Sequence, residues 1–112
     1  NKTRLEQMAA RKGAMILKRL NEMKESYELV GDARGLGMML AIELVKNKAS
    51  KEPAKKERDI VLNKCFEKGL LLLGSGESAI RIIPAITMPD ELINKGLDIL
   101  EEAIKEASNK GA

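Results

Sequence analysis

The fold of this chain is decided by residues 30–45, which read VGDARGLGMMLAIELV. Glycines and charged residues open the stretch, and an almost uncharged apolar run closes it. Glycine permits a bend or a close backbone approach where a side chain would clash. The apolar run is too short to span a membrane and is typical of a strand inside a sheet. We therefore predict two strands that are joined at residues 34–37, with the second strand in the middle of the sheet.

The residues before this stretch have the pattern of an amphipathic helix that runs from Asn1 to roughly Ser26. Its apolar face carries residues at steps of three, four and seven, namely Leu5, Met8, Ala9, Ile16, Leu20 and Met23. Lys12 falls on the same face, and Gly13 weakens the helix by up to about 1 kcal/mol relative to alanine. No capping signal precedes Leu5, and the first residue is not methionine. These features favour the tail of a longer helix from a larger protein over a simple N-terminal helix.

The chain after residue 45 predicts a loop and then a second helix. Basic residues, Arg58 among them, alternate with carboxylates from residue 46 to residue 59. This alternation is typical of a solvated loop and helix start, and it disfavours a phosphate-binding loop. The helix should run from about Ala54 to Lys68 and end at Gly69, where glycine suits the left-handed C-terminal position. Its predicted buried stripe is Ile60, Val61, Leu62, Cys65 and Phe66.

A second pair of strands follows. Leu70–Leu73 shows no alternation, as expected for a strand that is covered on both faces. Residues 74–78 read GSGES, which predicts a hairpin turn and only weakly indicates a phosphate cradle. The partner strand should be Ala79–Ile83, with Arg81 at its centre, and Pro84 should end the pairing.

The last predicted helix has Thr87 as its N-cap, Pro89 in its first turn and Asp90 at its third position, and it should end at about Ser108. Its apolar stripe is Leu92, Ile93, Gly96, Leu97, Leu100, Ala103, Ile104 and Ala107. The predicted order is thus α-β-β-α-β-β-α. This order indicates the α+β class, with a small, mainly antiparallel sheet covered by helices on one side, in a single domain of residues 1–112.

Composition excludes several kinds of function. The chain has no histidine and only one cysteine, so His/Cys zinc sites, Ser–His and Cys–His nucleophile pairs and intrachain disulfides are excluded. Cys65 lies among apolar residues and is expected to be a buried, inert thiol. A net charge of +3 and only two aromatic residues, Tyr27 and Phe66, argue against nucleic-acid binding. The core should therefore be aliphatic.

The expected setting is reducing and cytoplasmic, because no signal peptide, transit segment or membrane span is visible. The many Glu, Lys and Ile residues, together with a single Gln, indicate a thermophilic source. Pattern and composition alone lead no further than an α+β domain of unknown function.

Four blocks of sequence, in this order, extend the interpretation. Residues 30–44 resemble the Val-Arg-Gly-x-Gly-hydrophobic strand pair of the class III aminotransferases, which are fold-type I enzymes that use pyridoxal phosphate (PLP). Lys51–Ala54 resembles the Lys-Glu-Pro-Ala loop of that family, and Glu67–Leu71 resembles its Gly-Leu-Leu strand entry. Ala79–Thr87 resembles its Ile-Arg-x-x-Pro-Pro-Leu-Thr segment, with Ala85 in place of the second proline. The last helix also carries the family's Gly-Leu-Asp-Ile-Leu-Glu sequence, at residues 96–101.

The resemblance implies a place for this chain in a larger enzyme. The 4-aminobutyrate, ornithine and acetylornithine aminotransferases belong to this family. Its large domain supplies the lysine that binds PLP covalently, the acid that pairs with the pyridine nitrogen and the phosphate-binding loop, and this chain has none of these motifs. It therefore looks like the C-terminal small domain, which closes one side of the cleft and helps to bind the substrate carboxylate. The large domain of the same chain and a second copy in a homodimer would be its partners, and an amino acid and a 2-oxo acid would be the substrates.

Arg81 is the residue on which the resemblance bears most directly. From its strand alone, it is either an arginine on the wet face of the sheet or a member of an ion pair with Glu43 or Asp32. The resemblance favours a different role, because Arg81 matches the arginine of the Ile-Arg-x-x-Pro segment. In the family, this arginine faces the cofactor cleft and binds a substrate carboxylate or a glutamate of the large domain.

Two alternatives to an aminotransferase remain open at this stage. One is a PLP-dependent amino-acid racemase or aminomutase of the same fold, and the other is a non-catalytic α+β interaction module. If the chain is a small domain, we expect it to be catalytically inert on its own. We also expect it to self-associate, because the N-terminal helix and the strand face of Arg81 would have lost the cover of another domain.

Overall fold

The computed structural model describes residues 3–37, 39–67, 73–76, 78–82 and 88–110, and it confirms the predicted class and order of elements. The elements are α1 (Arg4–Ser26), β1 (Val30–Leu36), β2 (Met39–Leu44), α2 (Lys55–Glu67), β3 (Leu73–Ser75), β4 (Ala79–Ile82) and α3 (Asp90–Lys110). No described helix is both long enough and apolar enough to cross a bilayer.

The four strands form one antiparallel sheet in the order β1-β2-β4-β3. The central position predicted for the second strand is confirmed, since β2 pairs with both β1 and β4. Side chains alternate along β2: Leu40, Ile42 and Leu44 are buried, whereas the residues between them are not. One face of the sheet is therefore dry and the other is open, as the period of two requires.

Two of the three helices cover the dry face, and the third packs on these two. Helix α1 packs on β1 and β2, α2 packs on β2, β3 and β4, and α3 packs on α1 and α2. The core between them is aliphatic, as predicted, and its fully buried large side chains are Ile16, Leu20, Met23, Val30, Ile42, Leu44, Val61, Cys65, Ile80, Leu100 and Ile104. Burial of such aliphatic side chains contributes roughly 1.5–3 kcal/mol each to folding.

Two strand ends differ from the prediction. Strand β1 continues to Leu36, which pairs with Met39, so Arg34 and Gly35 belong to the strand and not to the joint. The hairpin turns at Gly37, whose φ of +61° suits glycine. In the second hairpin, residues 74 and 75 pair with Ile80 and Ala79, so the turn is shorter than residues 74–78. In both cases ladder hydrogen bonds extend into residues that are locally typical of turns.

Three predictions on the helices were wrong in detail. Thr3 caps α1 by accepting a hydrogen bond from the backbone N–H of Glu6, although no cap was predicted. Leu5 is 59% exposed, because the buried part of α1 begins only at Lys12. Leu92 is 54% exposed, because it lies about 100° around the helix from the buried Ile93.

Arg58 was predicted to lie on a solvated helix start, and this prediction was also wrong. The residue is only 7% exposed. Its guanidinium donates to the carbonyl oxygen of Ala79 at 3.1 Å and to the carboxylate of Asp59 at 2.9 Å. Arg58 therefore ties α2 to the start of β4, because a buried guanidinium is tolerated when its donors are satisfied. A segment of alternating charge is solvated as a whole, but the pattern does not show which of its charged residues is buried.

Other predictions lie partly or wholly outside the described residues. Helix α2 runs over Lys55–Glu67, within one residue of its predicted ends, and Val61 and Cys65 are buried as expected. Asp90 is the first residue of α3 and not its third, and the helix continues to Lys110. The predictions that fall outside the described residues concern Lys68, Gly69, Leu70–Leu72, Ile83, Pro84 and Thr87, and they include the side chain of Phe66.

Candidate carboxylate-binding site on the open sheet face

The open face of the sheet carries the charged residues of three strands. Residues directly opposite each other in an antiparallel pair project from the same face. Ala41 of β2 lies opposite Arg34 on one side and opposite Arg81 on the other, so all three share this face. Glu43 lies opposite Asp32 and shares it too. The backbones of Arg34 and Arg81 are about 10 Å apart, since neighbouring strands are separated by about 4.8 Å.

Arg34 is held by carboxylates of its own sheet. Its guanidinium donates to Asp32 Oδ2 at 3.1 Å and to Glu43 Oε1 at 3.3 Å. The hydroxyl of Ser78 donates to the other oxygen of Glu43, at 3.0 Å. The bond to Asp32 and then the bond to Glu43 raise the pKa of Arg34 above its ordinary value, so the group remains a cation under all practical conditions. Two carboxylates of the sheet therefore already compensate the charge of Arg34.

Arg81 has a different environment from Arg34, although the two lie on the same face with only β2 between their strands. Its side chain is exposed, and its neighbours Ile80 and Ile82 point into the core. Among the described residues, none forms a hydrogen bond or an ion pair with its guanidinium. Neither Glu43 nor Asp32 pairs with it, because Arg34 occupies both carboxylates. Arg81 thus lies on the wet face of the sheet, and the described structure contains no ion pair between it and Glu43 or Asp32. The planar fork of Arg81 is open to an external carboxylate.

A pocket lies away from the open sheet face, between the ends of the helices. The pocket has a volume of about 540 Å³ and is lined by Ser26, Tyr27, Glu28, Leu29, Lys46, Glu57, Ala107 and Ser108. The Oε1 atom of Glu57 is buried there and has no hydrogen-bond partner in the described structure. Tyr27 donates to Glu101 at 3.0 Å, and burial, followed by this bond, raises the pKa of its hydroxyl.

The described residues do not fit PLP. The cofactor needs donors for its phosphate, a partner for its ring nitrogen and a lysine. The helix-end pocket presents two carboxylates, Glu28 and Glu57, against a single lysine, Lys46, so its negative balance disfavours a phosphate. On the open sheet face, the available carboxylates are already bound to Arg34. No cluster of three His, Cys, Asp or Glu residues that could hold a metal ion is found in the described ranges.

The fold and the sequence together define the class of protein. The sequence model of the class III aminotransferases matches residues 1–104. The chain therefore belongs to the class III aminotransferase family, whose members depend on PLP.

Among related proteins, the chain is 41% identical over 98 residues to the leucine/methionine racemase of Thermococcus litoralis, an overlap of 88% of this chain and 22% of that protein. It is 34% identical over 94 residues to the acetylornithine aminotransferase of Clostridium acetobutylicum, covering 84% of this chain and 22% of that protein. The chain thus spans about a fifth of the length of these relatives.

Solved structures show the same fold. An aminotransferase of Bacillus anthracis superposes with a TM-score of 0.86 at 31% identity, over 91% of this chain and 24% of that chain. A transaminase from the marine bacterium Virgibacillus superposes with a TM-score of 0.89 over 97% of this chain and 26% of that chain. At 24% identity, this second likeness concerns the fold alone.

The sequence interpretation singled out Arg81 and overlooked the network beside it. Arg34 was assigned to the joint between strands, which hid its register with Ala41. A signal was available, since Asp32 and Arg34 are two residues apart and lie on one face of any strand that includes both. Arg34 binds two carboxylates and Arg81 binds none among the described residues. This difference depends on how the strands pair, which a local sequence pattern does not predict.

Proposed function

We propose that this chain is the C-terminal small domain of a PLP-dependent aminotransferase, and that Arg81 binds a carboxylate of its substrate. The intact enzyme would transfer an amino group between an amino acid, or an ω-amino acid such as 4-aminobutyrate, and a 2-oxo acid. The observation that carries the assignment of Arg81 is its exposed side chain, which has no partner among the described residues on a face where Arg34 is bound to two carboxylates. Membership of the class III family supports the reaction type.

The residues of this chain would bind and orient the substrate. Arg81 lies in a strand that is paired on both sides, to β2 and to β3, so its backbone is held rigidly. Its fork can donate two parallel bonds to one carboxylate and so fix the orientation of the substrate. The positive charge of Arg34 is compensated by Asp32 and Glu43, so Arg81 is the cation of this row that has no carboxylate partner among the described residues. When bound, PLP supplies the electron sink, from a site that we assign to the large domain.

Amino-acid racemisation is the second candidate function. A specific observation favours it, because two relatives, at 41% and 38% identity, are named as a leucine/methionine racemase and an alanine/serine racemase. Both reactions need the substrate carboxylate to be held, so Arg81 would serve either.

The proposal also includes a homodimer and a cytoplasmic location.

Product analysis of the full-length enzyme separates these candidates. We expect an absorption band of bound PLP in the visible range. Repeated conversion of an amino acid to its 2-oxo acid, beyond one equivalent per active site, should require 2-oxoglutarate. A panel of α- and ω-amino acids would then identify the donor. Racemisation without any 2-oxo acid acceptor would replace the aminotransferase proposal with the second candidate. A full-length protein without PLP would contradict both.

We predict that the chain of residues 1–112 alone is catalytically inert. The described residues do not fit PLP, and the chain contains no histidine to act as a general base. Incubation of the purified chain with PLP, an amino donor and 2-oxoglutarate should give no 2-oxo acid product of the donor above a control without protein. The full-length enzyme at the same molar concentration serves as the positive control. Turnover that scales with the concentration of the short chain would show this prediction to be wrong.

A further inference from the structure

Glu43 is the one charged residue on the two strands that flank β4. Strand β4 pairs with β2, which reads MLAIEL, and with β3, which reads LGS. Glu43 lies opposite Ala79, two residues before Arg81 along β4, so Glu43 and Arg81 are diagonal neighbours on the open sheet face. The backbones of diagonal neighbours are about 7–8 Å apart, a distance that long side chains can bridge. The carboxylate of Glu43 therefore has the reach to pair with the guanidinium of Arg81.

Both oxygens of the Glu43 carboxylate are instead bound to other donors. Arg34 donates to Oε1 at 3.3 Å, and the hydroxyl of Ser78 donates to Oε2 at 3.0 Å. Arg34 belongs to β1, which lies on the side of β2 opposite to β4. Its bond therefore draws the carboxylate away from Arg81. Ser78 is only 4% exposed, and its carbonyl oxygen accepts a backbone bond from Leu44 at 3.0 Å, so its hydroxyl is held in place.

A carboxylate of the same sheet would compete with a substrate for Arg81. A group that is tethered beside a binding site acts at a high effective concentration, because its approach costs little translational freedom. The guanidinium of Arg81 has no partner among the described residues, and it is the nearest such cation to Glu43 along the paired strands. Opposite charges at this spacing attract each other. What Glu43 binds therefore affects whether Arg81 is free for an external carboxylate.

We propose that Arg34 is a positioning residue for the carboxylate site, because it binds Glu43 and so prevents this carboxylate from occupying Arg81. Arg34 acts through Glu43 and does not itself touch the substrate. No movement of β4 is needed, since only the side chain of Glu43 changes its partner. The inference rests on the proposed role of Arg81, but the contacts of Glu43 are the same whether the reaction is transamination or racemisation.

Arg34→Met in the full-length enzyme tests this role. Methionine keeps an unbranched side chain and removes the donors to Glu43. The KM for the amino acid should rise by about twofold to fivefold, the range that exposed ion pairs span, with kcat within about twofold. The inhibition constant of propionate, a carboxylate without an amino group, should rise equally. The melting temperature should fall by less than about 3 °C, because the lost pairs are exposed.

A double-mutant cycle distinguishes positioning from a structural role. If Arg34 acts by holding the charge of Glu43, then Arg34→Met should have no effect in an enzyme that already carries Glu43→Gln. The double variant should therefore match Glu43→Gln alone within about 1.5-fold in both constants. Arg34→Lys keeps a cation beside Glu43 and should reverse most of the effect of methionine. Lys18→Met is the matched control for charge, because Lys18 is an exposed residue of α1, which covers the opposite face.

The outcomes separate this inference from the proposed function. If Arg81→Lys did not weaken propionate binding, the site itself would be wrong. If Arg81→Lys weakened it while Arg34→Met left both constants unchanged, the proposed function would stand and the inference would be overturned. An effect of Arg34→Met that persisted in the Glu43→Gln enzyme would also overturn the inference. A crystal structure of the Arg34→Met enzyme without substrate should show Glu43 paired with Arg81, and a Glu43 that remained on Ser78 alone would contradict it.

Discussion

Arg81→Lys in the full-length enzyme should raise the KM for the amino acid or its 2-oxo acid by at least about tenfold, a loss of about 1.4 kcal/mol. Lysine keeps the charge but replaces a planar fork with a point donor, so it cannot form two parallel bonds to one carboxylate. Steady-state kinetics with a monocarboxylic donor would measure the effect. PLP should still bind, because we assign the cofactor site to the large domain.

Arg34→Lys is the control for this experiment. Arg34 projects from the same face, directly across Ala41 from Arg81, but its guanidinium is bound to Asp32 and Glu43. The same substitution at this position should change KM by less than about twofold and affect stability slightly, as expected for exposed ion pairs. If Arg81→Lys left the kinetics unchanged and lowered the melting temperature, Arg81 would be structural and the candidate site wrong.

Gly13→Ala should destabilise the chain by about 2–3 kcal/mol, although alanine is the better helix former. A Cβ at this position would lie 1.9 Å from the carbonyl oxygen of Gly37 and 2.7 Å from its carbonyl carbon. Both obstacles are backbone atoms and cannot rotate away, so α1 must move off the first hairpin and lose packing along its length. Urea denaturation of the wild type and the variant would measure the loss.

Two further variants separate the causes. Ala10→Gly changes an exposed position of the same helix and should report only the intrinsic preference for alanine, about 1 kcal/mol. Gly37→Ala places a Cβ where no described atom lies within 4 Å but where φ is +61°, so it should cost about 1–2 kcal/mol through backbone strain. A Gly13→Ala variant more stable than the wild type would mean that the close approach of α1 and the hairpin is absent in solution.

Two exposed apolar residues lie on the surfaces that another domain was predicted to cover. Met39 is 64% exposed on the face that carries Arg81, and Leu5 is 59% exposed on α1. Single exposed apolar residues are ordinary, but these two lie on the surfaces for which a covering domain was predicted. Self-association of the chain therefore stays a prediction.

The sequence by itself determined the elements and their order, because these depend on local periodicity. The 3.6-residue period predicted α1 and α3, the apolar run at residues 39–45, whose one charge is Glu43, predicted the central strand, and the hairpin glycine was available at Gly37. The sequence also indicated the family, through its ordered blocks, and the model of the class III family matches residues 1–104. Arg81 was identifiable as a candidate site residue for the same reason.

Tertiary structure alone decided which charges are paired, which are buried and how closely the elements approach. Arg34 binds Asp32 of its own strand and Glu43 of the neighbouring strand, whereas Arg81 lies two strands away from Asp32 and beside a Glu43 that Arg34 already holds. Arg58 and Lys12 are buried because backbone carbonyls of distant segments meet their donors. The reason is common to all of these cases: pairing, desolvation and steric contact join residues that are far apart in the chain, and local composition carries no information about them.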